Sequence, residues 1–123
     1  MQRILLTQSF GIFYIEAIRV VFHILTGIFI VYTIKYMDYE FDPAKDESNM
    51  DKHGLSLADA DGFEWETAVV RDDARKRYAE PRFEATGLIG IRLHVLVFCI
   101  RADVVRVISL RKANSREVKR YVA

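Results

Sequence analysis

Hydrophobic and polar residues follow three successive regimes along the chain. From Ile4 to Ile34 the sequence is overwhelmingly apolar and aromatic, interrupted by Glu16, Arg19 and His23, and this composition ends abruptly at Lys35-Tyr36-Met37-Asp38. A polar, acidic stretch follows to about Ala79. From Arg82 onward two long apolar runs lie close together and lead into a short basic tail.

Within the second and third regimes the pattern predicts a series of elements. Tyr39-Glu40-Phe41 alternates with the period of two of a strand. Asp42-Pro43 is a helix start, with Asp as N-cap and Pro at the first helical position, where a missing N–H costs nothing. That helix is expected to run to His53: Lys52 and His53 suit the negative end of its dipole, and Gly54 supplies a left-handed stop. Ser56, with Asp59 three residues on, opens a second helix that carries Leu57, Ala60 and Phe63 inward and ends near Trp65. Thr67 to Val70 and Arg82 to Leu88 read as strands separated by a polar loop, Asp72 to Ala79. Gly87 and Gly90 mark the turn into Arg92 to Ile100, a nearly continuous apolar run that predicts a central strand covered on both faces for part of its length. Ala102-Asp103 forms a tight hairpin turn into Val104 to Leu110, and Ser115 caps a last short helix, Arg116 to Val122. A short N-terminal strand, two helices, an antiparallel sheet of about four strands and a C-terminal helix make an α+β fold with its helices on one sheet face.

Residues 1–36 stand outside this pattern, and residues 37–123 suffice for one domain with a modest core. As a membrane segment, Val20 to Ile34 is shorter than the roughly 20 apolar residues a span needs, and extending it takes in Arg19 and Glu16. A secretory signal would need a small-residue cleavage site, which Val31-Tyr32-Thr33-Ile34-Lys35-Tyr36 lacks. The break at Met37 instead favours a domain that begins there behind an over-extended apolar leader, with a membrane anchor or an additional element as alternatives.

Charge changes the picture more than composition does. The net charge is +1, yet Asp38 to Ala74 holds three Lys/Arg against twelve Asp/Glu, and Arg75 to Ala123 holds twelve against four. A basic C-terminal half beside an acidic one fits a nucleic-acid or acidic partner. The single Cys99 excludes an internal disulfide, lies in an apolar run as a small buried residue, and suits a cytoplasmic protein. No Gly-rich phosphate loop, Cys/His ligand cluster or nucleophile elbow occurs, so no cofactor and no metal site is expected. His53 reads as a helix C-terminal cation or, since histidine titrates near neutrality, as a site residue; His94 reads as structural. Strand alternation puts Val107, Ser109 and Arg111 on one face and Arg106, Ile108 and Leu110 on the other. With Ile108 and Leu110 facing the helices, Ser109 and Arg111 face the open side, and Arg82 and Arg101 lie on neighbouring strands. Several guanidiniums on one open face suit phosphate oxygens, although a solvated basic face has the same pattern.

Four segments carry a resemblance to a known family: Phe41-Asp42-Pro43-Ala44-Lys45 with Ser48-Asn49 and Lys52-His53-Gly54; Glu80-Pro81-Arg82-Phe83 with Gly87; Arg92 to Arg101; and Arg106 to Ala113 with Glu117 and Tyr121. In this order and spacing they resemble the BrnT family of ribonuclease toxins from bacterial type II toxin–antitoxin modules, whose fold is similar to that of RelE-type toxins. The likeness spans Asp38 to Tyr121. Cys99 stands where the family often has Thr, and Leu110 where Ala is common.

The resemblance implies a cytoplasmic endoribonuclease that arrests translation and is neutralised by a BrnA-like antitoxin with a ribbon-helix-helix DNA-binding part. It implies operator DNA contacted only through that antitoxin, and a heterotetramer of paired toxin and antitoxin chains. On this basis RNA is expected to be cleaved without a metal, its 2′-hydroxyl attacking the adjacent phosphate. Arg82 and Arg111 are the expected phosphate stabilisers, Ser109 a hydrogen-bonding positioner, and His53 or Glu80 the proton carrier; Lys45, Lys52, Arg101 and Lys112 are expected to hold the RNA backbone. The alternatives from other classes are a non-catalytic module that binds nucleic acid or protein, and a membrane-anchored basic protein.

Overall fold

The computed structural model describes residues 2–4, 34, 37–73, 75 and 78–123, with the backbone alone for residues 2–4. One sheet organises them. In chain order the elements are β1 (Gln2–Ile4), β2 (Asp38–Phe41), α1 (Pro43–His53), a 3₁₀ segment (Leu57–Gly62), β3 (Val69–Asp72), β4 (Phe83–Ile89), β5 (Arg92–Arg101), β6 (Val104–Lys112) and α2 (Ser115–Val122). Strand order is β1-β2-β6-β5-β4-β3, so β3 to β6 form the antiparallel meander and the expected α+β class holds. The exception to antiparallel pairing is β2, which lies parallel to β6 with Asp38 opposite Val104 and Glu40 opposite Arg106.

Local chemistry explains the element ends. Asp42 caps α1 by accepting from the Ala44 amide, and Gly54, at φ +69°, closes it with an N–H donated to the Met50 carbonyl. Ser56 and Asp59 form a reciprocal capping box, but the segment they start is one 3₁₀ stretch ending at Gly62. Leu57 and Ala60 still point inward, and Phe63 and Trp65 reach the core from extended backbone beyond it. Asn114, rather than Ser115, caps α2, since its side chain accepts from the Glu117 amide while Glu117 accepts from the Asn114 amide. Ala102 and Asp103 both have positive φ, 49° and 66°, as a two-residue hairpin turn of the type matched to strand twist requires. Gly87 is not part of a turn. It lies inside β4, and a Cβ there would stand 2.6 Å from the Phe63 ring, so a side chain would displace a core aromatic.

The core lies on one face of the sheet. Tyr39, Phe41, Phe83, Ala85, Leu96, Phe98, Val105, Val107 and Leu110 meet Leu57, Ala60, Phe63 and Trp65 there. The Trp65 indole sits edge-on to Phe63, Phe98 and Tyr39, at centroid separations of 4.7, 5.5 and 6.5 Å, and its N–H donates to the Tyr39 hydroxyl. Burial raises the Tyr39 phenol above its ordinary range, so it stays protonated. β5 is central and buried from Leu93 to Cys99, as its continuous apolar run predicts.

Two features differ from the expected layering. First, the helices do not share a face. α2 lies on the side opposite the main core, where Tyr121 packs with Leu93, Val95, Ala113 and Leu88 and its hydroxyl donates to the Thr67 carbonyl at 2.8 Å. β5, apolar on both faces, requires such a second cover. Second, α1 contributes one buried residue, Asn49, because its sequence lacks an apolar stripe. It lies along β6 beyond the end of β2, held by polar contacts.

The expected leader, residues 1–36, falls mostly outside the described residues. Of it, Gln2–Ile4 pairs antiparallel with β2, and Ile34, 1% exposed, sits in the main core. Among the described residues no helix is long and apolar enough to cross a membrane.

Candidate functional site

A bulge in β6 decides which arginines share a face. Val97 pairs with Ser109 and Phe98 with Val107, so Ile108 is the extra residue and the alternation shifts there. Val105, Val107 and Leu110 all face the core in consequence. Val107 therefore leaves the company of Ser109 and Arg111, and Arg106 joins them. By the same alternation Arg71, Glu84, Arg101, Arg106, Ser109 and Arg111 project from the face that carries α2. Arg82, next to the core-facing Phe83, extends the set.

The sequence-predicted residues divide into two groups on this scaffold. Glu80, Arg82 and Arg101 gather near the β5–β6 hairpin. Glu80 receives both Arg101 guanidinium donors, and the Cys99 thiol lies 3.7 Å from its carboxylate. The Arg101 guanidinium, with help from the nearby Cys99 thiol, holds the Glu80 carboxyl below the usual carboxylate range. Burial, reinforced by that carboxylate, pushes the Cys99 thiol up, so it is a neutral and poor nucleophile. Arg82 is half-buried and stacks over the Tyr78 ring, with its guanidinium carbon 4.0 Å from the centroid. Among the described residues no carboxylate forms an ion pair with Arg82, whereas Arg101 is paired with Glu80 and Arg106 with Glu40.

Lys45, Lys52, His53 and Ser109 form the second group. With Ser48, Asn49 and Ile108 they line a cavity of about 200 Å³ between α1 and the edge of β6. Asn49 fixes its floor: its amide nitrogen donates to the Leu110 carbonyl at 2.8 Å and the Leu55 carbonyl at 2.9 Å, and its oxygen accepts from the Leu110 amide at 3.0 Å. Asp46, on another side of α1, accepts from the Ser56 hydroxyl and the Leu57 amide and ties the helix to the 3₁₀ segment. Lys112 is exposed at the end of β6.

Arg111 belongs to neither group. Its guanidinium makes a two-bond pair with Glu117 of α2, at 2.7 and 2.8 Å. Four residues along β4 and two strands across, by the register Thr86–Val95–Arg111, place it roughly 16 Å from Arg82. The two expected phosphate stabilisers thus share a face without meeting. Sequence reasoning passed over Tyr78, which holds Arg82; an aromatic four residues ahead of an arginine in a polar loop was the available signal. It also passed over Asp73, whose carboxylate the Arg75 guanidinium holds below its ordinary range. His94, 5% exposed, donates from Nδ1 to the Arg92 carbonyl, a structural role. Among the described residues no three His, Cys, Asp or Glu side chains are arranged to hold a metal.

The Arg111–Glu117 pair makes stability depend on acid pH. Hydrogen bonds from Arg111 hold the Glu117 carboxyl at about 2, against 4.5 for an ordinary glutamate. A depressed folded-state value adds stability that is complete above about pH 4.5 and is lost as pH falls toward 2. The pair is expected to lose about 2–3 kcal/mol between roughly pH 5 and pH 2.5. Urea unfolding of wild type and Glu117→Gln at both pH values measures it as the difference in slope; parallel behaviour of the two proteins would show that the pair contributes nothing.

The arrangement as a whole offers cations on two adjoining surfaces of one sheet edge and face, which suits a polyanion. No curated protein matches the chain. A family model described as the ribonuclease toxin, BrnT, of type II toxin–antitoxin systems matches residues 41–117, from the last residue of β2 to Glu117 of α2 and so through both groups. The chain belongs to this family of ribonuclease toxins.

Proposed function

We propose that the protein is an endoribonuclease that cleaves single-stranded RNA on the open sheet face around Arg82, inhibits translation, and is neutralised by a BrnA-like antitoxin of the ribbon-helix-helix class in a heterotetramer. The observation that carries the reading is Arg82: a half-buried guanidinium, oriented by Tyr78, with no carboxylate to neutralise it among the described residues. An uncommitted, oriented fork of donors is what a phosphate needs, and its charge stabilises the dianionic transition state. In the step itself the RNA 2′-oxygen bonds to the adjacent phosphorus as it loses its proton, and the bond to the 5′-oxygen breaks. The products are a 2′,3′-cyclic phosphate and a 5′-hydroxyl that takes its proton from water. Between the two candidates we assign the first proton not to His53, which lines the α1 cavity, but to Glu80, which lies two residues from Arg82 in the chain and pairs with Arg101. Its depressed affinity for protons makes it an ionised but weak base, so most of the rate falls to positioning and charge stabilisation.

The test is inducible expression of the whole chain and of a form starting at Met37, each alone and with the adjacent open reading frame, followed by growth and total RNA integrity. Arrest with fragmented RNA, relieved by the neighbour, supports the reading. Arrest with intact RNA would replace it with the non-catalytic binding module. Equal activity of the two forms would place the apolar leader outside the functional domain, and loss in the shorter form would place β1 and Ile34 within it.

A further inference from the structure

We infer that the cavity between α1 and β6 is a second phosphate subsite, which holds two backbone phosphates of the RNA strand beside the cleavage face. The inference rests on the ribonuclease reading and adds the path the strand takes. Lys45, Ser48, Asn49, Lys52 and His53 are spaced i, i+3, i+4, i+7 and i+8, so one side of α1 faces the cavity. The helix segregates its charges accordingly. Glu47 and Asp51 fall on the far side, and Asp46, one heptad before His53 at the flank of this face, is turned to the Ser56 hydroxyl and the Leu57 amide. Among the described residues no carboxylate is in ion-pair contact with Lys45, Lys52 or His53.

Two exposed lysines and a histidine surround a cavity of about 200 Å³ with serine hydroxyls on both walls and no carboxylate in its lining. An anion entering it therefore meets positive charge and hydrogen-bond donors with no acid to repel it. Their stems start about 10 Å apart along the helix, which long lysine side chains can close over neighbouring phosphates. Ser109 joins this cavity to the cleavage face: it lines the cavity, and Arg111, two residues along β6, lies about 7 Å further on. The site is built rather than incidental, because Asn49 locks the helix against the strand at Leu110.

The experiment uses the purified whole chain and a fluorescent 2′-O-methyl RNA, which binds but cannot be attacked. Fluorescence anisotropy is measured over a range of salt for wild type, for Lys45→Ser with Lys52→Ser, and for a matched loss of two cations from α2, Arg116→Ser with Lys119→Ser. The cavity variant is expected to bind about tenfold more weakly and to lower the log–log salt slope by about 1.4, the value for two phosphates of a single strand. The α2 variant is expected to keep the wild-type slope. Unchanged binding in the cavity variant, or an equal loss in both variants, overturns the inference.

Inorganic pyrophosphate, followed through the His53 ring resonances, separates this failure from failure of the ribonuclease reading. A shift in wild type and none in the cavity variant, in a protein that cleaves no RNA, keeps the phosphate site and removes the RNase. RNA cleavage with no pyrophosphate shift and unchanged RNA affinity in the cavity variant does the reverse.

Discussion

Arg82→Ala is expected to lower RNA cleavage by the purified protein about 10²–10³-fold, the usual cost of removing one oriented donor from a developing negative charge, while leaving the fold intact. Among the described residues the change removes no ion pair with a carboxylate, and it removes the stacking of that guanidinium on Tyr78. That contact is worth about 0.5–1 kcal/mol, a small change in melting temperature. Arg111→Ala, on the same face, behaves differently. It leaves the Glu117 carboxylate, 9% exposed, with the Asn114 amide but without its two guanidinium bonds, at a cost of about 2–3 kcal/mol, since Arg111 is itself 30% exposed. Lost activity there reports unfolding and detachment of α2 before it reports chemistry. Cleavage of one defined RNA, measured at equal folded fraction beside thermal unfolding, separates the cases. Arg82→Lys should recover part of the rate, because an ammonium supplies charge but neither the planar fork nor the stacking. Cleavage by Arg82→Ala within threefold of wild type would remove Arg82 from the mechanism.

Much of the fold was legible because single residues carry local rules. Asp42-Pro43 and Gly54 bound α1 as their backbone chemistry requires, Ala102-Asp103 turn β5 into β6, and the apolar run of β5 announces its central place. What stayed hidden depends on partners distant in sequence. The bulge at Ile108 has no glycine to mark it, and it moves Arg106 onto the face with Arg111 and Val107 off it. The opposite placement of α2 follows from the Leu93, Val95 and Ala113 patch, which becomes a surface needing cover only once the strands pair. Likewise the site's cations were visible as residue types, but their division was not. Whether an arginine is free for phosphate is set by the acid beside it: Glu117 takes Arg111, Glu80 takes Arg101, and Arg82 has Tyr78.

Asn49→Asp is expected to destabilise the protein by about 3–5 kcal/mol, through the loss of two buried donors and the burial of a charge. The helix has no apolar stripe, so its attachment to β6 depends on a few polar contacts, and Asn49 supplies three. Aspartate keeps an acceptor for the Leu110 amide but loses both donors, turning a buried carboxylate toward the Leu110 and Leu55 carbonyls. Each buried group left unsatisfied costs about 1–3 kcal/mol, more where a charge is involved. The change also bears on assembly. Beyond the last β2 pairing, at Arg106, Asn49 occupies the backbone groups of Leu110 on an otherwise open strand edge, and an uncovered edge is a template for another chain. Asn49→Asp should therefore speed amide exchange at Leu110, shift the urea midpoint downward and increase self-association, while Met50→Ala, next to it and 48% exposed, leaves all three near wild type. If Asn49→Asp lowers stability by less than about 1 kcal/mol, the side-chain clamp is not what holds α1, and the cavity lined by Lys45, Lys52 and Ser109 owes its shape to something else.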